Sequence, residues 1–338
     1  MILETLKILS DNKNLDTEKV REVFKEITEG YIEDIQIAAF LTALKLKGET
    51  ADEIAAAAEV MRTKCIRINL KSEKTLDIVG TGGDMRNTFN ISTACAFVAS
   101  AGGVPVAKHG NRALTSKSGS IDVLEALGIN VNKTPEEEIN IFNKLNICFM
   151  FAQNHHPAMK NVTKVRKSLP FRTIFNILGP LTNPAFASSM LFGVYDEKLV
   201  HLLCEAILKL GVQNVIVVHG HDGIDEASLI DYTVISEGRE SKIKDYKITP
   251  EQFGLKRCTI ADIAGGNAAE NAQIIKDIFS LKENGAKRDI VILNTALAFY
   301  TYKKVNTIQE GIDYARYIIN SKSALKKLED YIKLSNEA

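Results

Sequence analysis

The chain has no excess of charge of either sign: 42 Lys and Arg stand against 42 Asp and Glu, a formal charge of zero. A protein whose main task is neutralising nucleic acid needs a cationic surplus, so the balance argues against that class, while leaving room for a local basic patch. Long apolar runs are missing as well. No window reaches the roughly 18 uninterrupted apolar residues of a membrane span. Met1-Ile2-Leu3-Glu4 carries an early acid and no basic stretch ahead of a cleavable apolar core, so no signal peptide is expected. The five cysteines, Cys65, Cys95, Cys148, Cys204 and Cys258, are dispersed and form no C-x-x-C pair. That pattern reads as reduced core thiols in a reducing compartment, and a cytoplasmic protein is expected. There is no repeat, linker or low-complexity tract. What remains is 338 residues, 45% hydrophobic and 25% charged, an ordinary globular composition long enough for about two domains.

The first 70 or so residues read as helical. Within Asp16 to Glu29, Val20, Val23, Phe24 and Ile27 recur at helical spacing, and Gly30 stops the run. Thr50-Ala51-Asp52-Glu53 is a capping box ahead of an alanine-rich helix. These segments offer apolar stripes and little polar chemistry, as a packing or dimerisation module would. After Ser72 the pattern changes to alternation: strands at 75–79, 104–107, 147–152, 190–195 and 214–220, helices at 121–128 and 197–211, and shorter β-like alternation over 231–250. Alternating strands and helices imply a largely parallel sheet covered by helices.

In such sheets ligands bind beyond the carboxyl ends of the strands. The first strand runs into Gly80-Thr81-Gly82-Gly83-Asp84, then Thr88 to Thr93 at a helix start. Glycines let backbone N–H groups converge on an anion, and a helix N-terminus favours phosphate. A tight turn needing glycine only for geometry is the alternative. The terminal G-K-[ST] of a P-loop is absent. After the second strand, Lys108-His109-Gly110-Asn111-Arg112 and Thr115 to Ser120 form a second polyanion cradle, or else a polar surface loop. His155-His156 lead to Arg166, whose planar fork suits a carboxylate if it is not simply an exposed helix arginine. No third ligand follows at zinc spacing. Asp225 and Glu226, in the glycine-rich run from His219 to Glu226, are hard oxygen ligands suited to Mg²⁺ beside phosphate, or an acidic loop tip. Asp222 is the weaker candidate. Gly265 to Asn271 reads as a structural helix entry.

In order and context, GTGGD (80–84), NIST (90–93), KHGNR (108–112), SKSGSIDVLEALG (116–128), HHPAMKNVTKVRK (155–167), RTIFNILGPLTNPA (172–185) and DGIDE (222–226) resemble the anthranilate phosphoribosyltransferase family over essentially the whole chain. Gln153-Asn154 stand where members vary. The resemblance implies an α/β fold with a small all-helical domain, residues 1–72 joined in space by about 167–185. A larger domain, 73–338, would hold a mainly parallel central sheet flanked by helices. It implies a homodimer through the helical domains, and Mg²⁺ as cofactor, two ions per subunit with substrate bound. The partners implied are anthranilate and 5-phosphoribosyl 1-diphosphate, giving N-(5-phosphoribosyl)anthranilate and diphosphate in the second step of tryptophan biosynthesis, with no nucleic acid and no membrane.

Carried over motif by motif, the diphosphate substrate would meet Gly80, Gly83, Asp84, Thr88, Asn90, Ile91, Ser92 and Thr93. Lys108, His109, Gly110, Asn111, Arg112, Ala113, Leu114, Thr115, Ser116 and Ser120 would complete that site. Ser92, Asp225 and Glu226 would hold magnesium. Gly80, Asn111 and Arg166 would bind anthranilate, with His109 and His156 lining its channel. No acid or base is assigned, and Lys108 would neutralise charge on the leaving group. The rivals are a pyrimidine nucleoside phosphorylase, which shares the fold, and a silent nucleic-acid-binding paralogue. KHGNR and the Asp-Glu pair argue against the first, and the balanced charge with every motif intact argues against the second.

Overall fold

The computed structural model describes residues 1–72, 74–113 and 117–337. Four helices come first: α1 (Ile2–Ser10), α2 (Thr17–Glu29), α3 (Asp34–Lys47) and α4 (Ala51–Thr63). Asp16 caps α2 by accepting from the Lys19 N–H at 2.8 Å, and Gly30 ends it at φ +80°. The expected capping box closes α4: the Glu53 N–H donates to Thr50 Oγ1 (3.2 Å) while the Thr50 N–H donates to Glu53 Oε2 (2.8 Å). Glu53 also takes the buried ammonium of Lys47 at 2.7 Å.

Alternation follows: β1 (Leu76–Gly80), α5 (Ile91–Ala101), β2 (Val106–Gly110), α6 (Ser120–Ala126), α7 (Pro135–Leu145) and β3 (Ile147–Phe151). Three short helices come next, α8 (Ala152–His155), α9 (Lys160–Ser168) and α10 (Phe175–Leu181), then β4 (Ser189–Gly193), α11 (Leu199–Lys209), β5 (Asn214–Gly220), β6 (Thr233–Arg239) and β7 (Lys242–Ile248). The chain ends in α12 (Ala268–Phe279), α13 (Ala286–Thr301), α14 (Ile308–Asn320) and α15 (Ser323–Glu337). Among the described residues no helix is long and apolar enough to cross a membrane.

Among the described residues seven strands lie in the order β3-β2-β1-β4-β5-β6-β7. The first five are parallel; β6 and β7 add antiparallel at one edge. Period-two alternation splits the core between the faces. Leu191 joins Leu76, Ile78, Ile216 and the apolar sides of α5 and α12 to α15, whereas Met190 and Phe192 join α11 and the N-terminal helices. Val162 and Val165 of α9, with Phe175, Leu178 and Leu181 of α10, belong to that second cluster beside Val23, Phe24 and Phe40. The order of strands reverses at β1, which has β2 on one side and β4 on the other, so the crevice above β1 and β4 is the topological switch point where open α/β sheets bind ligands.

Candidate active site

Gly80 and Gly193 end β1 and β4 and are register partners. Across both lies the loop after β5. A Cβ on Gly80 would sit 2.5 Å from Asp225 Oδ2, and one on Gly193 would overlap the Asp225 carbonyl. Glycine at these strand ends thus lets the acidic loop settle on the sheet. Asp225 Oδ2 accepts from the Gly82 N–H at 2.7 Å, tying the β5 loop to the β1 loop. Asn294, buried in α13, anchors the loop from behind: its Oδ1 accepts from the Ala227 N–H at 2.9 Å and its Nδ2 donates to the Ala227 carbonyl at 2.9 Å.

Through this arrangement Asp84, Asp225 and Glu226 each offer a carboxylate oxygen within 4.8 Å of the others'. Asp222 is not one of them; both of its oxygens are buried without a partner. Like charges gathered out of water resist ionisation. Burial first, and Asp225 second, raise Asp84 to about 6. Burial raises Asp225, and burial followed by Asp225 and Asp84 pushes Glu226 well above the usual carboxylate range. Asp84 Oδ2 and Glu226 Oε2 are buried with no hydrogen-bond partner. Hard oxygens with unspent lone pairs, crowded in one place, fit a divalent cation of the magnesium type.

Ser92, in the first turn of α5, lines a small cavity with Asp225, Glu226 and Asn294. The Lys108 ammonium reaches it from below, donating to Ser92 Oγ at 3.2 Å and to the Ile78 carbonyl. This corrects two expectations. Lys108, His109 and Gly110 lie within β2, not in a loop after it. Lys108 is buried, facing Ser92 and the carboxylates rather than an open cleft. Burial lowers its pKa, opposed first by Asp77 and then by Glu226. Asp77, raised to about 6 by burial, takes Asn183 Nδ2 at 2.7 Å.

The β1 loop is shaped for an anion. Gly82 (φ +64°) and Gly83 (φ +71°) are consecutive left-handed residues, and among the described residues the N–H groups of Gly83 and Asp84 donate to nothing. Such a concavity of backbone N–H groups, beside the α5 N-terminus, suits phosphate. Thr88 bridges to Ala264 and the Gly265 N–H donates to the Asn87 carbonyl (2.8 Å), so the loop is pinned to the α12 entry. Asn90 caps α5 by position. Its Nδ2 donates to the Ser118 carbonyl (3.2 Å), and its Oδ1 accepts from Asn271 Nδ2 (3.0 Å). Ile91 and Thr93 turn their side chains into the core, and the Thr93 hydroxyl has no partner. What they can offer a ligand is backbone.

Arg112 departs from expectation: Glu125 takes its fork at 2.6 and 2.7 Å and Asp122 at 3.2 Å. It braces the loop rather than standing free. Ala113 N–H donates to Asp122 Oδ2 at 2.9 Å. Asn111 is exposed, its Oδ1 accepting from the Arg112 N–H (2.8 Å) and its carbonyl from Ser120 Oγ (3.3 Å). The expected contacts of Leu114, Thr115 and Ser116 lie outside the described residues.

His109 and His156 meet edge to face, ring centroids 5.1 Å apart. Burial, then the neighbouring histidines, lowers His109 well below the usual range and His156 to about 4, so both are neutral. His155 instead pairs with Glu138 at 2.9 Å and with the Ile66 carbonyl at 2.8 Å, a structural tie. Arg166 on α9 is half-buried with its guanidinium 5.7 Å from the Phe175 ring centroid. Among the described residues it has no acidic partner, and burial alone lowers its pKa. A desolvated cation with no counter-ion is a place for an incoming carboxylate.

Sequence reasoning missed Asn183, whose amide ties β1 to β2 through Asp77 and the Ala107 carbonyl, and Asn271 and Asn294, whose amides hold the site's loops. An amide inside the apolar run Ile290–Phe299 was the legible signal for Asn294.

Residues 72–325 match the model of the Glycosyl transferase family, a/b domain, and residues 3–65 that of the Glycosyl transferase family, helical bundle domain. The chain is 50% identical over 337 residues to the anthranilate phosphoribosyltransferase of Endomicrobium trichonymphae, covering 100% of both. It is 48% identical to that of Methanobrevibacter smithii, covering 99% of this chain and 100% of the other. Among solved structures it is similar to the anthranilate phosphoribosyltransferase of Thermus thermophilus, with TM-score 0.93, 39% identity and coverage of 98% and 99% of the two chains. The Saccharomyces cerevisiae enzyme in complex with PRPP and Mg aligns with TM-score 0.91 at 30% identity, covering 100% of this chain and 98% of that one.

Proposed function

The chain belongs to the anthranilate phosphoribosyltransferases of that glycosyl transferase family, and from this we propose how its residues transfer the 5-phosphoribosyl group of 5-phosphoribosyl 1-diphosphate to the amine of anthranilate. The observation that carries the proposal is the trio Asp84, Asp225 and Glu226, gathered at the switch point beside the free N–H groups of Gly83 and Asp84. Asp225, Glu226 and Ser92 hold Mg²⁺, two ions per subunit with substrate bound, and Asp84 shares that acidic cluster. When bound, the metal neutralises charge that grows on the departing diphosphate.

The β1 loop and the α5 N-terminus, from Gly80 to Thr93, cradle the diphosphate, and Gly110, Asn111 and Ser120 complete the site for 5-phosphoribosyl 1-diphosphate. Lys108 orients Ser92 and balances the charge of Asp225 and Glu226 from beneath. Arg166 and Asn111, with Gly80, hold anthranilate, the arginine through its carboxylate. The neutral His109–His156 pair lines the channel without adding charge. Loss of diphosphate leaves an oxocarbenium-like centre at the ribose C1. The aromatic amine is already neutral at pH 7, so no base is needed to make it a nucleophile. Catalysis then rests on positioning and electrostatics, where effective molarity contributes about 7–11 kcal/mol. Residues 1–72, joined in space by about 167–185, form one small helical domain, through which two copies pair.

The test is to mix the purified protein with anthranilate, 5-phosphoribosyl 1-diphosphate and Mg²⁺ and follow anthranilate fluorescence with diphosphate release, using EDTA as control. Magnesium-dependent loss of fluorescence is expected. Folded protein that leaves anthranilate intact but releases thymine from thymidine with phosphate would overturn the reading in favour of a phosphorylase.

A further inference from the structure

Between α9 and α10 the chain passes close to the β1 loop, and Arg172 crosses the gap. Its guanidinium donates to the Gly83 carbonyl and lies over the Tyr195 ring, 3.7 Å from the centroid. Tyr195 is tied to the same loop: its N–H donates to Thr81 Oγ1 at 3.2 Å, and the Thr81 N–H donates to the Gly193 carbonyl at 2.9 Å. A Cβ on Gly83 would stand 3.2 Å from the Arg172 Nη2, a tight approach at a left-handed position that favours glycine. Among the described residues Arg172 forms no ion pair with a carboxylate, although Asp84 is the next residue beyond the carbonyl it holds.

The consequence follows from peptide geometry. A trans peptide carries its C=O and N–H on opposite edges, and among the described residues there is no cis bond. Fixing the Gly83 carbonyl on Arg172 therefore fixes the Asp84 N–H on the far edge, away from the arginine. Among the described residues that N–H and the one on Gly83 donate to nothing, while the Gly82 N–H is already committed to Asp225. The same segment of chain carries Phe175, the ring beside Arg166. Residues 166–175 thus touch both the loop proposed for diphosphate and the arginine proposed for anthranilate.

We propose that Arg172 is a positioning residue for the diphosphate group: it locks the Gly83–Asp84 peptide in the orientation that presents its N–H to the anion, and adds a positive charge beside the loop. The inference rests on the phosphoribosyl-transfer reading. It is separable from that reading, because binding of magnesium diphosphate can be measured without turnover.

The experiment compares wild type with Arg172→Gln, Arg172→Lys and Tyr195→Leu. It reads the two KM values, calorimetric affinity for magnesium diphosphate, and Tm. Loss of one charge-assisted hydrogen bond predicts, for Arg172→Gln, a rise of about tenfold or more in the KM for 5-phosphoribosyl 1-diphosphate and an equal loss of diphosphate affinity. The anthranilate KM should stay close to wild type, with Tm lowered by no more than a few degrees. Arg172→Lys should recover part of the affinity, since an ammonium can donate to the carbonyl but does not stack on the ring. Tyr195→Leu should show the same selective defect at smaller size, and it decides the matter if the Gln variant does not fold. Unchanged diphosphate affinity in Arg172→Gln would overturn the proposal, as would equal rises in both KM values with a lowered Tm. A wild type that binds diphosphate but does not consume anthranilate would sink the transfer reading, and the calorimetric comparison would still decide the role of Arg172.

Discussion

At Arg166 a half-buried guanidinium has no acidic partner among the described residues, which leaves its charge for an incoming carboxylate. Arg166→Ala should therefore raise the anthranilate KM by about tenfold or more, a charged hydrogen bond being worth about 1.5–3 kcal/mol, and leave the 5-phosphoribosyl 1-diphosphate KM near wild type. Equal effects on both would make the arginine a structural residue. His156 gives a second expectation. Its folded pKa, about 4, lies below the ordinary value of 6.5 because burial disfavours the cation. An unfolded chain takes up that proton as pH drops below about 6.5, so the stability contributed by neutral His156 is present above that pH and is lost towards 4. Thermal melts from pH 7 to 4 should show His156→Gln losing less stability than wild type over that window. A parallel decline would contradict the assignment. At this scale the Asp225–Glu226 pair was legible, because adjacent acids in a glycine-rich strand-end loop suit a cation, and the structure gathers them with Asp84. Asn271 and Arg172 were not. Each acts on a loop far away in sequence, and no local spacing records such a partner.

Elements tell a different story. The cap of α4 was readable because Thr50 and Glu53 satisfy each other within four residues. Thr50→Ala should cost about 1 kcal/mol of stability and leave both KM values unchanged, as chemical denaturation and steady-state kinetics would show. The end of β2 was misread. Lys108 and His109 are polar, and polarity after an apolar run suggests a loop, yet both are buried strand residues paired with β3. Their polar groups are used inside the protein, which periodicity does not register. The strand-end glycines carry the strongest prediction at this level. Gly193→Ala places a methyl group on the Asp225 carbonyl, and backbone cannot move aside as a flexible side chain can. The variant should fold with a stability loss of about 1–3 kcal/mol and lose magnesium-dependent turnover. Full activity in Gly193→Ala would mean the acidic loop does not rest on β4.

For the whole molecule, sheet order decides the position of the site. Reversal at β1 opens the crevice between β1 and β4, and three loops distant in sequence converge there. The alternation of strands and helices disclosed an α/β sheet, but which strands adjoin is a long-range fact that the sequence pattern does not carry. The helical part is less separate than its composition suggests, since its core is continuous with the sheet face that carries Met190 and Phe192. On its outer side Ile35 (75% exposed) and Leu46 (82% exposed) stand on α3, eleven residues and so about three turns apart on one face. Ile35→Glu with Leu46→Glu should convert a dimer to monomers in light scattering, without unfolding; a monomeric wild type would contradict the proposed pairing.

The convergence of Asp84, Asp225 and Glu226 with the β1 loop bears the weight of the reaction. Single-turnover rates of anthranilate consumption should be measured in wild type and in Asp225→Asn with Glu226→Gln, across a magnesium titration and with Tm recorded for both. The double variant should remain folded and lose nearly all magnesium-dependent turnover, a deficit of at least about a hundredfold. A folded double variant turning over at close to the wild-type rate would show that the metal and the diphosphate are held elsewhere.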